Sequence, residues 1–243
     1  MPPKIHVGTA GWSIPRAEQA RFPSGESHLA RYAKVFSAVE INSTFYRPHR
    51  AATFERWAAS VPRAFRFSVK LPQAITHDRR LAGSARPLDE FLDSLAPLGS
   101  RLGCLLVQLA PSTPFDARVA RGFFATLRKR FDGGVALEPR HSTWFASRAD
   151  RLLSSYEIAR VAADPPRTEG GVEPGGWPGL CYFRLHGSPR TYYSTYEDGF
   201  LDAQSKTLRK LSRGRTPVWC IFDNTAMGAA TPNALSLMER LRR

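Results

Sequence analysis

CYFRLHG, residues 181–187, is an apolar run that carries an arginine and a histidine two positions apart. Side chains two apart on a strand share a face, so Arg184 and His186 point the same way. A strand buried on both faces is normally apolar throughout, and two polar groups at its end therefore call for a reason. The same construction recurs along the chain. IHVGTAG from residue 5, AVEINSTFY from 38, FRFSVKLP from 65, CLLVQLAP from 104, GVALEPRH from 134, IARVAADP from 158 and VWCIFDN from 218 are short apolar runs with polar ends. Those ends hold Thr9, Glu40 and Asn42, Lys70, Gln108, Glu138 and Arg140, Asp164, and Asp223 and Asn224.

Strands are expected at Ile5–Thr9, Ala38–Asn42, Phe65–Lys70, Cys104–Leu109, Val135–Pro139, Ile158–Ala163, Cys181–His186 and Pro217–Phe222. Between them, helices are expected at about His28–Val35, Thr53–Ser60, Pro87–Leu95, Asp116–Arg130, Ser147–Ser154 and Asp202–Leu211, and a last one at Pro232–Leu241. Thr53 and Ser147 are candidate caps, and Pro87 suits a first helical position. In the clearest helix Val119, Phe123, Ala125 and Leu127 make the apolar stripe. Strands alternating with helices form a parallel sheet, and eight such units close into a TIM-type (β/α)8 barrel. The expected fold is therefore α/β, one barrel domain over residues 1–243, near the usual size of about 250. One crossover departs from the pattern. Residues 164–180, DPPRTEGGVEPGGWPGL, hold four prolines and five glycines, so a loop should replace the helix between strands six and seven.

Composition narrows the class. The chain has 42% hydrophobic residues, enough for a sizeable core, yet no run approaches the roughly 18 residues of a membrane span. The start, MPPKIHVGTAGW, has no apolar signal core, so a cytoplasmic location without membrane attachment is the expectation. Cys104, Cys181 and Cys220 lie inside expected strands with no CxxC or CxxH spacing, which argues for small buried hydrophobes rather than disulfides or a zinc knuckle. Net charge is +14, and 29 of the 35 basic residues are arginine. Arginine forks suit phosphates and a basic surface attracts polyanions, though arginines spread over solvated helix faces would give the same total.

In such a barrel the C-terminal strand ends share one face, where sites are built. Glu40 and Asn42, Glu138 and Arg140, and Arg184 and His186 form same-face pairs. If they point inward, carboxylates, guanidinium and imidazole crowd one small mouth, at a cost that function or ion pairing must offset. Glu40 and Glu138 are candidate acid or base groups, His186 a proton carrier, and Lys70 an anion stabiliser or, if desolvated, a nucleophilic amine. The bland alternative is a structural network in which Lys70 or Arg184 pairs with the glutamates. His77, His141 and His186, with Glu40, Glu138, Asp164 and Asp223, make a divalent metal possible, although no HxH or HExxH spacing appears. No P-loop or dinucleotide fingerprint points to a nucleotide cofactor. Phosphate binding is expected at the loops after strands seven and eight, with Arg184 and Arg190 as partners. Aromatic residues crowd the same loops; Trp12, Phe45, Tyr46, Trp144, Phe145, Tyr192, Tyr193 and Tyr196 are candidates for stacking on bases or sugars, or else pack the loops over the core. Thr9, Asn42, His77, Gln108, Arg140, His141, Asp164, Asp223 and Asn224 complete the candidate substrate-binding set.

Beyond single positions, the chain resembles the YecE-like family, a domain of unknown function. The resemblance rests on GTAGWSI at 8–14, EINSTFYRP at 40–48, FRFSVKLPQAITHDRRL at 65–81, EPRHSTW at 138–144, RLHG at 184–187, FDN from 222 and MGAATPNAL at 227–235. It implies a TIM-type barrel and no established reaction. Two positions depart from that pattern. Pro139 stands where the family tends to have an aromatic residue, and Asp223 where it tends to have an asparagine, which adds a negative charge. The leading expectation is an enzyme of hydrolase or lyase type acting on a phosphate-bearing ligand such as a nucleotide or nucleic acid. The alternative is a nucleic-acid-binding protein without turnover, using the basic, aromatic-rimmed mouth. A third is a polar interior that is only structural.

Overall fold

The computed structural model describes residues 5–168, 170–214 and 216–243. Met1–Lys4 and Arg215 lie outside the described residues, as does Glu169 within the expected Gly/Pro-rich loop. The fold is mixed α/β. Strands β1 (Ile5–Thr9), β2 (Ala38–Ile41), β3 (Arg66–Lys70), β4 (Leu102–Gln108), β5 (Gly134–Glu138), β6 (Ile158–Arg160), β7 (Ala162–Asp164), β8 (Gly175–Gly176), β9 (Cys181–Leu185) and β10 (Val218–Phe222) form two sheets. Helices α1 (His28–Tyr32), α2 (Ala51–Ala59), α3 (Ala85–Leu95), α4 (Ala117–Arg128), α5 (Ser147–Ser155), α6 (Asp198–Ser212) and α7 (Ala230–Arg242) alternate with the strands over most of the chain. No described helix is long and apolar enough to cross a membrane.

One sheet has the order β2-β3-β4-β5-β6-β8, and the other β1-β10-β9-β7. All pairings are parallel except that of β8, which runs antiparallel to β6. The expected sixth strand is split at Val161: β6 pairs with β5, and β7 pairs with β9. At the other margin β1 meets β2 through a parallel bridge between Ala10 and Glu40, with the Gly11 amide donating to the Glu40 carbonyl at 2.9 Å. Close approach there requires Gly8, because a Cβ at that position would collide with the Ala38 carbonyl.

Helix starts follow capping and proline chemistry. Asp116 caps α4, its Oδ1 accepting from the amides of Arg118 (2.8 Å) and Val119 (3.0 Å). The buried stripe of α4 is Ala120, Phe123, Phe124 and Leu127, so Phe124 and Ala120 replace the expected Ala125 and Val119. Thr53 does not cap α2; the cap is Arg50, and the Thr53 amide donates back to its carbonyl within the first turn. Ser147 is likewise the first residue of α5, after Ala146. Helices α3 and α7 begin two residues before Pro87 and Pro232, which the first turn tolerates because its N–H groups lack helical partners. Helix α6 starts at Asp198, four residues before the expected Asp202.

Alternation along the strands sorts residues into two buried sets. The larger packs helices against the outer strand faces through Tyr32, Phe54, Phe67, Phe124 and Phe222. The smaller gathers Ala38, Cys104, Leu106, Ala136, Ala159, Val161, Tyr182, Trp219 and Ile221 on the opposite faces. The three cysteines are free and buried. The polar strand ends rise from the smaller set.

Candidate functional site

Arg184 on β9 is fully buried and stands at the centre of an ionic cluster. Its Nε and Nη2 donate to Oε2 (3.0 Å) and Oε1 (2.7 Å) of Glu40 on β2. Nη1 donates to Glu138 Oε2 on β5 at 2.7 Å, and Nη2 also reaches Asp223 Oδ2 at 3.0 Å, just past β10. One guanidinium thus bonds carboxylates carried at the ends of three strands, using the planar fork that lysine lacks. Tyr182, two residues earlier on the same strand face, places its hydroxyl 3.0 Å from Glu40 Oε2 and 2.8 Å from Ser68 Oγ. Below it, Tyr182 stacks on Trp219, which in turn lies against His6.

His186 lies between two carboxylates. Nδ1 is 3.0 Å from Asp223 Oδ2 and Nε2 is 3.0 Å from Glu138 Oε1. A neutral imidazole has one N–H and would turn a lone pair toward one of these oxygens, whereas an imidazolium donates to both. Burial opposes that charge, yet the pull of Glu138 and the hydrogen bonds to Asp223 and Glu138 raise the His186 pKa above its usual value. Glu138 is saturated. Oε2 accepts from Gln108 Nε2 (2.9 Å) and Arg184, and Oε1 from Arg140 Nη2 (3.0 Å) and His186. Burial pushes its carboxyl up, but Arg184, then His186 and Arg140, outweigh this and hold it well below the ordinary carboxylate range. Glu40, with no exposure, accepts three hydrogen bonds. Glu138 has no free lone pair with which to accept a substrate proton, and both carboxylates position the cations around them.

Lys70, at the end of β3, behaves differently. Its side chain is largely buried, with Nζ 3.9 Å from the centroid of the Phe45 ring. Among the described residues no carboxylate oxygen lies within 4.0 Å of Nζ. Burial and then the Arg184 charge lower its pKa to about 8, against the pull of Glu40, Glu138 and Asp223. His77 sits edge-on to the same Phe45 ring, carried by a π-helical turn at Ala74–Asp78. Burial, then Lys70 and Arg140, lower its pKa. Arg140 is nearly buried and leaves Nε without a partner, as Asn42 leaves Oδ1. Asp223 stays ionised: burial raises its pKa, but Arg184 and His186 pull it below the usual value. Three carboxylates therefore face Arg184, Arg140, Lys70 and the His186 imidazolium, an excess of one positive charge when all are protonated.

Glu40, Lys70, Gln108, Glu138, Arg140, Arg184, His186 and Asp223 thus come together, while other candidates do not. Thr9 points to the outer layer, where its amide and hydroxyl meet Tyr32 Oη at 2.9 and 3.0 Å. It sits one residue out of phase with the inward positions of β1. Trp144 is buried, its indole N–H donating to the Thr113 carbonyl at 3.0 Å, so it packs the core. Asp164 and Tyr196 bind each other: the Tyr196 hydroxyl lies 2.9 Å from Asp164 Oδ1 and accepts from the Gly187 amide at 2.8 Å. Asn224 donates to the Ser194 carbonyl and to Asn233 Oδ1, both at 2.9 Å, holding the loop before α6. Trp12 packs edge-on against Trp57, and His141 caps a 3₁₀ turn through Thr143.

The rim keeps four candidates. Tyr192, with φ of 71°, lies edge-on to His186. Arg190 stacks its guanidinium 3.9 Å from the Tyr193 ring centroid, and Tyr46 is 73% exposed. Among the described residues no three His, Cys, Asp or Glu side chains are grouped to hold a metal ion. The histidines expected to contribute are apart, with His77 on the π turn, His141 at a 3₁₀ cap and His186 inside the ionic cluster. Phe45, expected among the loop aromatics, lies against Lys70, whereas Tyr182 and Ser68 were not expected in the site. The period of two, counted back from Arg184 and Lys70, places Tyr182 and Ser68 on the inner face.

Comparison with known proteins agrees with this geometry at the level of family and fold. The family described as Protein of unknown function DUF72 matches residues 6–243, so the chain belongs to it. The UPF0759 protein YecE of Escherichia coli is 33% identical over 167 residues, which cover 66% of this chain and 59% of that protein. The chain thus spans less than two thirds of that relative's length. The UPF0759 protein YunF of Bacillus subtilis is 24% identical over 98% of this chain and 94% of its own length. Among solved structures, a DUF72 family protein of Enterococcus faecalis superposes with a TM-score of 0.82 at 23% identity, over 98% of this chain and 96% of that one. A DUF72 family protein of Thermotoga maritima gives 0.79 at 25%, over 98% and 99%. A xylose isomerase-like TIM barrel/4-hydroxyphenylpyruvate dioxygenase fusion protein gives 0.53 at 13% identity, over 98% of this chain and 42% of that one.

Proposed function

We propose that this member of the DUF72 family is an enzyme of hydrolase or lyase type that takes a phosphate-bearing ligand, such as a nucleotide or nucleic acid, at the polar strand ends. The observation that carries the reading is Lys70, a cation without an ion-pair partner within 4.0 Å among the described residues, whose charge is the one positive charge in excess when it joins the otherwise balanced ionic cluster. Arg140 adds a guanidinium with an unpartnered Nε. An anion is the complement such a site lacks, and low local dielectric strengthens the attraction. Lys70 and Arg140 would bind and stabilise the anion. Asp223, ionised and bonded through Oδ2 alone, keeps Oδ1 to orient a water or accept its proton. Glu40, Glu138 and His186 would hold these groups in place.

The architecture suited to this role is a single closed barrel. Its support is the continuity of pairing: β1 to β10, β10 to β9, β9 to β7, then across Val161 to β6 and on to β2, with the Ala10–Glu40 bridge returning to β1. Between β7 and β9 the described residues carry β8 and no helix, which supports the reading that a Gly/Pro-rich loop replaces the helix there.

Calorimetric titration with inorganic phosphate and 5′-nucleotides tests the binding step. Wild type should bind, and Lys70→Met should weaken binding at least tenfold; no binding by wild type sinks the reading. Product analysis with nucleotides and short single-stranded oligonucleotides tests turnover. Ligands that bind and return unchanged would instead favour the binding-protein alternative, for which the Arg190–Tyr193 stack at the rim speaks. Such binding should weaken steeply with salt.

A further inference from the structure

Beside the ionic cluster lies a cleft of about 490 Å³, formed where the loop after β2 faces the π-helical turn after β3 and the outer side of α3. Phe45, Pro72, Ile75 and Phe91 supply its apolar walls, and Tyr46 stands exposed at its edge. Phe45 belongs to both places: it lines the cleft and lies against Lys70 Nζ. The Thr44 hydroxyl, 2.7 Å from the Lys70 carbonyl, ties the two loops together at this point.

We infer that this cleft receives the heterocyclic base of a nucleotide whose phosphate occupies the Lys70–Arg140 site, so that Phe45 separates a base subsite from a phosphate subsite. The inference rests on the anion-site reading above and extends it. Three features select a base over other apolar groups. The walls include flat rings, which stack on any nucleobase. Gln73 and Ser94 line the same cleft; although Ser94 donates to the Phe91 carbonyl and Gln73 Nε2 to Asp78, the Gln73 amide oxygen and the Ser94 lone pairs remain as acceptors that a lipid chain would leave unused. Charge also sets the direction. In the cleft lining Asp78 offsets Arg47 and Glu90 is paired with Arg86 at 2.8 Å, so the cleft is close to neutral while the neighbouring cluster is positive. A phosphate is therefore drawn to Lys70 rather than to the cleft, which leaves the neutral base to enter it.

Ala74 is exposed and lines the cleft, so Ala74→Trp fills the space without disturbing the core. The experiment compares ribose 5-phosphate with AMP and UMP, titrated calorimetrically into wild type, A74W and Tyr46→Ser, each checked for an unchanged unfolding midpoint. The expected result is that at least one nucleotide binds wild type about tenfold or more tightly than ribose 5-phosphate, the scale of one base–aromatic stack. A74W should erase that advantage and leave ribose 5-phosphate binding intact, with Tyr46→Ser intermediate. Equal binding of sugar phosphate and nucleotides by wild type overturns the base subsite alone, as does an advantage that survives in A74W. Failure of every phosphate compound to bind overturns the anion site, and the base subsite with it.

Discussion

Arg184 and Glu40, 144 residues apart in sequence, meet through two near-parallel hydrogen bonds of 3.0 and 2.7 Å with neither side chain exposed. Such a pair rewards its geometry and punishes its loss. Replacing both members with apolar groups can be tolerated, whereas removing one leaves a buried charge unmatched.

Arg184→Met should therefore destabilise the protein by about 3–5 kcal/mol, the cost of breaking a buried ion pair. Arg184→Lys should recover little of this, because an ammonium cannot span Glu40 Oε1 and Oε2 together with Glu138 and Asp223. Urea unfolding at pH 7 measures both variants, and a near-native midpoint for R184K would contradict the fork argument.

Lys70→Met should do the opposite. The Lys70 pKa falls from 10.5 to about 8 on folding, so below pH 8 its charge opposes the folded state. The unfolded chain binds more protons between those values, and wild-type stability should rise across that window. Removing the amine should add stability at pH 7, on the order of 3 kcal/mol at most, while phosphate binding is lost. Paired thermal melts and titrations test whether stability and binding move in opposite directions.

Asp223→Asn removes one of the two carboxylates that raise the His186 pKa. A raised histidine contributes stability that is fully present below its unfolded value near 6.5 and lost as pH climbs through the folded value. In D223N the folded value should drop, so this loss should be smaller and complete at lower pH than in wild type. NMR titration of the His186 ring gives the shift directly, and an unchanged midpoint would mean that Glu138 alone sets it.

Thr9→Val and Trp144→Phe test placement. Each loses a buried hydrogen bond, to Tyr32 and to the Thr113 carbonyl, and should cost about 1 kcal/mol. Neither should alter phosphate or nucleotide affinity. A binding defect without a stability defect in either variant would bring that residue back into the site.

The strand positions were legible because each run keeps its alternation to the end. Arg184, counted in steps of two, identifies His186 and Tyr182 without a structure. The same rule, applied strictly, would have excluded Thr9, Asp164 and Asn224, each one residue out of phase with its inward neighbour. What the sequence could not convey was who pairs with whom. Glu40, Lys70, Glu138 and His186 read as a catalytic set until distances show Glu138 accepting four hydrogen bonds. Trp144 and Tyr196 carry no local sign that their polar tips are spent on Thr113 and Asp164. Helix starts shifted wherever a proline or threonine was read as the boundary, because the first turn accepts both.

Glu40 also works in the main chain, where its carbonyl takes the Gly11 amide beside the Ala10 bridge. A residue that both pairs with Arg184 and stitches β1 to β2 couples charge to the joint between the two sheets. Disturbing the counter-ion should loosen the seam. The amide of Gly11 then becomes a reporter whose solvent exchange registers the electrostatic state of the interior.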